Sequence, residues 1–500
     1  MAANDVEHLD VLIVGAGLSG IGAAWRLQEE LPGATYALLE RRDAIGGTWD
    51  LFRYPGVRSD SDMFTLAYPF RPWKGEKSIS PGESIRTYIA DTADAAGITR
   101  HIRFGTRVVR SSFSSETGLW TVETETGGAG SPPARKTYTA SFLHMCSGYY
   151  AYDHGHQPEF PGREDFTGTW VHPQFWPEDL DYAGKKVVVI GSGATAVTLI
   201  PAMARDAEHV TMLQRSPSYL TVLPESDPTA DRLRRLLPAN VAHTLLRMQY
   251  VTLTQGFYQL ARRRPERVKK LLRSLAVRAL QDESYVDEHF TPTYEPWDQR
   301  LCVVPDGDFF RAIREGRASV ATDHIDRITE TGVRLRSGRE LDADIIVSAT
   351  GLSLQPLGGM EIEVDGTQVD IGDTVAYRGM MLSGVPNLAF CIGYVNASWT
   401  LRADLVNRYV PRLLAHMRRK DYAIATPYAA RTGDRPLLDL TSGYVQRSKH
   451  LFPKQGERDP WRLRQNFFTD APRMNRADVE KDMAFTPASA LLKTDKEFAS

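Results

Sequence analysis

GAGLSG, near the start of the chain, sets Gly15, Gly17 and Gly20 in the spacing G-x-G-x-x-G. In such a turn the first glycine permits a tight bend, the second lets the backbone approach a pyrophosphate, and the third lets helix and strand pack closely. The helix N-terminus then faces the ligand's negative charge. Glu40, at the end of the next apolar run, is placed to accept hydrogen bonds from ribose hydroxyls. Gly46 and Gly47, just beyond it, allow a second close approach of backbone to an extended dinucleotide, which a plain NAD site does not need. A second fingerprint, GSGATA, supplies Gly191 and Gly193, with Thr195 and then Ala196 in the third place, a substitution the motif tolerates. The strand that follows ends in Arg215 and Ser216 rather than in an acid. A carboxylate there would repel a 2′-phosphate, whereas Arg215 offers it a planar fork of donors and Ser216 one more, so this site favours NADPH.

These residues need strands and helices to hold them. LDVLIVGAGLSGIGAAWRLQEE reads as a buried strand, a glycine turn and a helix, and ATYALLE as the next strand; GKKVVVIGSGATAVTLIPAMA and HVTMLQRS repeat the pattern. GGAGSPP, Gly127 to Pro133, marks a hairpin loop between two further strands. The expected fold is therefore α/β, with two Rossmann-like dinucleotide-binding domains and a helical insertion. The first domain is discontinuous, over 1–150 and 352–500; the second spans 151–222 and 295–351; the helical subdomain is 223–294. Within that subdomain, the basic stretches DRLRRLLP and RRRPERVKKLLRSLAVRAL read as solvated faces rather than as a membrane or nucleic-acid patch. The tail after about Phe485 is polar and expected to be loosely held.

The 500 residues suffice for two or three domains. An apolar fraction of 42%, a charged fraction of 24% and a net charge of -2 are ordinary for a globular protein and argue against a nucleic-acid partner. MAANDVEHLD lacks a basic and then apolar leader, and no apolar run is long enough for a membrane span, so a cytoplasmic protein is expected. Cys146, Cys302 and Cys391 form no C-x-x-C, which removes a dithiol redox centre and leaves small buried hydrophobes.

FTGTWVHPQFWP, Phe166 to Pro177, crowds aromatics around one histidine between the two nucleotide units. Phe166, Gly168, His172, Trp176 and Pro177 fit F-x-G-x-x-x-H-x-x-x-W-P, and by this fingerprint the chain resembles the type I Baeyer-Villiger monooxygenases. GGTWDLFRYPGVRSD is similar to the family's other marker, through Trp49, Tyr54, Pro55, Gly56 and Asp60. HPQFWPEDLDY, PWDQRLCVVP and NASWTL bring the likeness nearest to the bacterial ethionamide-activating branch. The resemblance implies FAD in the first unit, with Thr48, Trp49, Asp60 and Val108 joining its site, and NADPH in the second. It also implies a reaction: NADPH reduces the flavin, O2 adds at flavin C4a, and the peroxide attacks a ketone to give an ester or lactone, with thioethers as a related substrate class.

Arg300 matches the arginine that this family places over the flavin, where a guanidinium that cannot lose its proton suits an anionic oxygen; Asp60 would hold it. His172 reads as a structural residue coupling the two units, with Phe166, Gly168, Trp176 and Pro177. No His-x-x-x-His or His/Cys pairing accompanies it, so no metal is expected. Pro173 departs from the threonine of many members, and Gln299 from a lysine, which leaves Arg215 as the main basic contact for the 2′-phosphate. Two alternatives stay open: a flavin-containing monooxygenase acting on sulfur or nitrogen, and a flavin- and NADPH-binding redox sensor without oxygenation. Oligomeric state is unreadable from the sequence.

Overall fold

The computed structural model describes residues 6–127, 134–429 and 433–491. Strand β1 (Glu7–Val14) ends in four consecutive buried residues and runs into helix α1 (Leu18–Glu30), whose inner face is small: Ser19, Gly20, Gly22, Ala23 and Ala24. Small side chains let the helix lie close to the sheet. On one side of β1 lies parallel β2 (Tyr36–Leu39), with Val14 opposite Leu39. Three antiparallel strands, β3 (Thr106–Ser114), β4 (Leu119–Thr126) and β5 (Ala134–Met145), complete this part of the sheet, and β5 runs parallel to β1 on its other side. The expected hairpin between β4 and β5 forms, with Thr126 opposite Ala134; positions 128–133 of its loop lie outside the described residues.

The chain leaves this unit along β6 (Tyr150–Gly155) and builds a second sheet. Its strands are β7 (Thr169–Val171), β8 (Lys186–Ile190), β9 (His209–Gln214), β10 (Ala318–Thr322) and β11 (Ile345–Ser348), all parallel, in the order β10-β9-β8-β11-β7. Helix α2 (Ala194–Met203) follows β8 as α1 follows β1. Between β9 and β10 the chain makes a helical excursion: α3 (Pro228–Leu236), α4 (Ala239–Arg263), α5 (Pro265–Leu280) and α6 (Glu283–His289). The short strands Leu220–Leu223 and Cys302–Pro305, paired in parallel, close it off.

The return crossing is β12 (Leu352–Leu354), antiparallel to β6, so both connections between the units run side by side. Beyond it, β13 (Leu388–Phe390) pairs with β5 in the first sheet, and α7 (Trp399–Lys420) packs on α1. An ion pair of 2.7 Å between Arg26 and Asp404 fastens those two helices. The tail differs from expectation. Met483–Pro487 forms β15, antiparallel to β14 (Tyr422–Pro427), and Phe485 stacks on Tyr422 with ring centroids 4.7 Å apart. Polar composition concealed an apolar anchor; positions 492–500 lie outside the described residues.

His144 lies in the middle of the first sheet, opposite Ile13 on one side and Ala389 on the other. Burial lowers its pKa to about 4, and its Nε2 has no hydrogen-bond partner among the described residues. The folded state therefore binds fewer protons than the unfolded chain between the unfolded histidine value and pH 4, and the stability present above that range is lost as pH falls through it. His144→Leu is expected to flatten this acid limb. Between pH 7 and pH 4 the wild type should lose on the order of 3 kcal/mol more than the variant in urea unfolding; parallel curves would rule out a buried neutral imidazole.

Candidate active site at the junction of two nucleotide units

A single cavity of about 1000 Å³ opens where the two units meet. That is the upper end of the range of small-ligand sites. On the first-unit side it is lined by Gly15, Gly17, Glu40, Gly47, Thr48, Trp49 and Val108. A Cβ on Gly15 would stand 2.6 Å from the Cys146 carbonyl oxygen, and one on Gly20 only 1.9 Å from the Gly15 oxygen. Gly20 thus lies behind the wall, where it lets α1 approach β1. Gly17 and Gly47 touch: a Cβ on Gly47 would fall 3.0 Å from the Gly17 Cα. Glu40 is buried, its Oε2 accepting from Ala16 N at 2.7 Å and its Oε1 from Arg42 N at 2.8 Å. Burial raises its pKa, opposed by those two N–H donors.

The second-unit side repeats this construction. Gly191, Gly193, Thr195, Arg215 and Ser216 line the same cavity. A Cβ on Gly191 would stand 2.3 Å from the Ala349 oxygen, as Gly15 does beneath Cys146. Ala196 is fully buried in α2 and serves helix packing, not the wall. Arg215 and Ser216 are exposed at the rim.

At the junction, Arg300 Nη2 donates to Asp60 Oδ1 at 3.0 Å, and its Nε lies 2.7 Å from Asp60 Oδ2 in an ion pair. The two side chains are 35% and 30% exposed, open to the cavity rather than sealed in the core. The Asp60 carboxylate holds the guanidinium well above its ordinary range, outweighing desolvation. Tyr149, Tyr150 and Tyr444 surround the pair, and burial pushes all three phenols up, Tyr150 to about 12. They stay protonated and able to donate. The loop bearing Asp60 is fastened to the second unit at two more points. Gly56 lies flat on α2, where a Cβ would meet Ala202 Cβ at 2.7 Å, and Arg58 pairs with Asp308 at 2.5 Å. Neither the tyrosines nor Arg58–Asp308 was found from the sequence, which carries no local signal for partners so distant; Gly56 was visible only as part of a motif.

The aromatic stretch between the units is more than a connector, because Thr169 to Val171 forms the edge strand β7. Phe166 packs beneath the second sheet, and Gly168 lies where a Cβ would meet the Asp344 oxygen at 2.4 Å. Buried His172 follows the strand, its Nδ1 accepting from Gln174 N at 3.2 Å. Burial lowers its pKa, opposed by the Gly351 and His156 backbone. A neutral ring wedged between both crossings suits a structural part. Gln174, missed in the sequence, donates from Nε2 to the Ala151 and Tyr152 carbonyls of β6, at 2.8 and 3.2 Å. Trp176 packs half-buried on the core of the second unit, and Pro177 is exposed beyond it.

Two Rossmann-like sheets opening on one cavity, with a fixed cation at their meeting point, define a two-dinucleotide oxidoreductase. Comparison with known proteins narrows the class. Residues 67–233 match a family model described as flavin-binding monooxygenase-like, and residues 13–75 one described as an NAD(P)-binding Rossmann-like domain. The chain is 52% identical over 481 residues to the FAD-containing monooxygenase EthA of Mycobacterium tuberculosis, covering 95% of this chain and 97% of that one. It is 46% identical over 477 residues to a probable FAD-binding monooxygenase, AlmA, of Acinetobacter baylyi, covering 94% of each. In fold it resembles an oxidized steroid monooxygenase bound to NADP, with a TM-score of 0.73 at 22% identity over 96% of this chain and 100% of that one. An open crystal structure of cyclohexanone monooxygenase gives 0.73 at 20% identity over the same shares. The chain belongs to the family of FAD-containing monooxygenases, and is a flavoprotein monooxygenase acting on a small molecule with O2.

Gly155 tests the histidine's place at the seam. A Cβ there would stand 2.0 Å from His172 Cε1. Gly155→Ala is expected to destabilise the protein by about 1–3 kcal/mol in urea unfolding; an unchanged midpoint would mean that the ring does not lie against that Cα.

Proposed function

We propose that the protein is a type I Baeyer-Villiger monooxygenase, using FAD and NADPH to insert one oxygen atom of O2 beside a ketone carbonyl, with thioethers as a second substrate class. The observation that carries this reading is the Asp60–Arg300 pair at the junction of two nucleotide cradles. The first cradle fits FAD: two glycine loops in contact leave room for a pyrophosphate at the α1 N-terminus, and buried Glu40 keeps lone pairs for a ribose. We divide the chain accordingly, with FAD held by 1–150 and 352–500, NADPH by 151–222 and 295–351, and 223–294 as a helical subdomain. Strand pairing supports this division, since β13 rejoins the first sheet and β11 the second. We place the protein in the cytoplasm, in keeping with three free, buried cysteines.

When bound, the flavin supplies hydride acceptance and oxygen activation. The chain's own residues do the rest. Arg300 brings a permanent positive charge to the junction, and Asp60 holds it by accepting from Nη2 and pairing with Nε, so little reorganisation is needed as negative charge develops on oxygen. The Tyr149, Tyr150 and Tyr444 hydroxyls add donors and narrow the access of water. Arg215 and Ser216, exposed at the rim, are free to take a 2′-phosphate.

Two substitutions separate these parts. Arg300→Ala should retain FAD and still consume NADPH, while ester or lactone formation falls by the equivalent of about 3 kcal/mol or more in product assays; near wild-type product yield would refute the role. Arg215→Ala should raise the KM for NADPH by tenfold or more, equivalent to about 1.4 kcal/mol, and leave that for NADH nearly unchanged. Equal effects on both coenzymes would remove it from the phosphate site.

A further inference from the structure

The sequence reading of the basic helical region as solvated faces accounts for its arginines but not for its leucines. Leu236, Val241, Leu245, Met248, Leu253 and Leu260 stand on the outside of α3 and α4, each between 43% and 69% exposed. Helix α4 contains no acidic residue at all, and its one charge before Arg262 is Arg247, which is buried and donates to the Phe64, Thr65 and Ala67 carbonyls. The outer face of a 25-residue helix is thus apolar or neutral along its length, with Thr244, Gln249, Thr252 and Gly256 between the hydrophobes. Isolated surface leucines need no explanation, but five hydrophobes spread along one broad face of a helix do.

Both ends of this face are basic. Exposed Arg232 and Arg235 stand at the α3 end, and exposed Arg263, Arg264, Arg267 and Lys270 at the other. Arg263 falls on the line of Leu245, about five turns further along at ~3.6 residues per turn. The neighbouring acids are engaged elsewhere: Asp231 with Arg234, Asp298 with Arg262 and Glu266 with Lys269. The six basic residues pair with no carboxylate among the described residues.

We infer that the outer face of α3 and α4 docks on an anionic lipid bilayer, its exposed hydrophobes entering the headgroup layer and the terminal arginines meeting lipid phosphates. Among the described residues no helix is long and apolar enough to cross a membrane, so the helix lies in the interface rather than across it. A second copy of the chain is a poorer occupant. With both ends basic, either two-fold arrangement of the helix against itself sets arginine against arginine, whereas anionic lipid complements both ends. The inner face of α4 packs through Val251 on Tyr394 and Ala397, which line the cavity, so the docked face is one helix thickness from the site.

Flotation of the FAD-loaded enzyme tests this, with vesicles of phosphatidylcholine alone or mixed equally with phosphatidylglycerol. The protein should float with the mixed vesicles at least about tenfold more than with the neutral ones, and less at high salt. The triple variant Leu245→Glu, Met248→Glu, Leu253→Glu should lose about tenfold or more of that binding, with FAD content and NADPH consumption unchanged. If it fails to fold, Arg263→Gln with Arg264→Gln gives the second reading, a reduced and less salt-sensitive flotation. Absence of wild-type flotation, or equal flotation of the variants, overturns the inference. So does a wild-type dimer that the triple variant splits without vesicle binding, since a second copy would then cover the face.

Discussion

An ion pair between Asp60 and Arg300 is the constraint around which the rest is arranged. The two residues come from different nucleotide units, so the pair exists only when a loop of the first reaches the second. Three residues make that reach. Gly56 is flat enough to lie on α2, Arg58 fastens the loop to Asp308, and Asp60 then meets the guanidinium. Half-open ion pairs add little net stability, because desolvation offsets much of the attraction. What this one contributes is direction: a cation with its plane fixed where two dinucleotide sites converge.

The two cradles are built by the same device. Gly15 sits beneath the Cys146 carbonyl and Gly191 beneath that of Ala349, each at a distance that no side chain could survive. Both connections between the units then run as one antiparallel pair, β6 with β12, and the aromatic fingerprint grips that seam. His172 lies against Gly155, and the Gln174 amide donates to β6. Such a seam concentrates the alignment of two large sheets into a few residues, which explains why so many specific types are spent on a short stretch.

The helical excursion belongs to the same arrangement. Buried Arg247 of α4 donates to three carbonyls at the end of the short helix Met63–Leu66, just after Asp60. Its arginine satisfies acceptors that the helix end leaves without partners. The inner face of α4 therefore steadies the loop that carries Asp60, while its outer face is left to other contacts.

Much of this is legible in the amino-acid sequence itself, and the reason is locality. A strand, a glycine turn, a helix and a terminal acid or arginine lie within about 30 residues of one another, so the two cradles, Glu40 and Arg215 follow from order and spacing. The fingerprint from Phe166 to Pro177 is likewise a run of neighbours. Tyr149, Tyr150 and Tyr444 around Arg300, the Arg58–Asp308 pair and the Gln174 amide are contacts between distant segments, and nothing local marks them. Periodicity announced that the basic region was helical and amphipathic, but not which apolar face would be covered, because that depends on what the fold brings against it. The last strand, Met483–Pro487, makes the same point: its residues look like a polar tail until Tyr422 supplies the surface on which Phe485 rests.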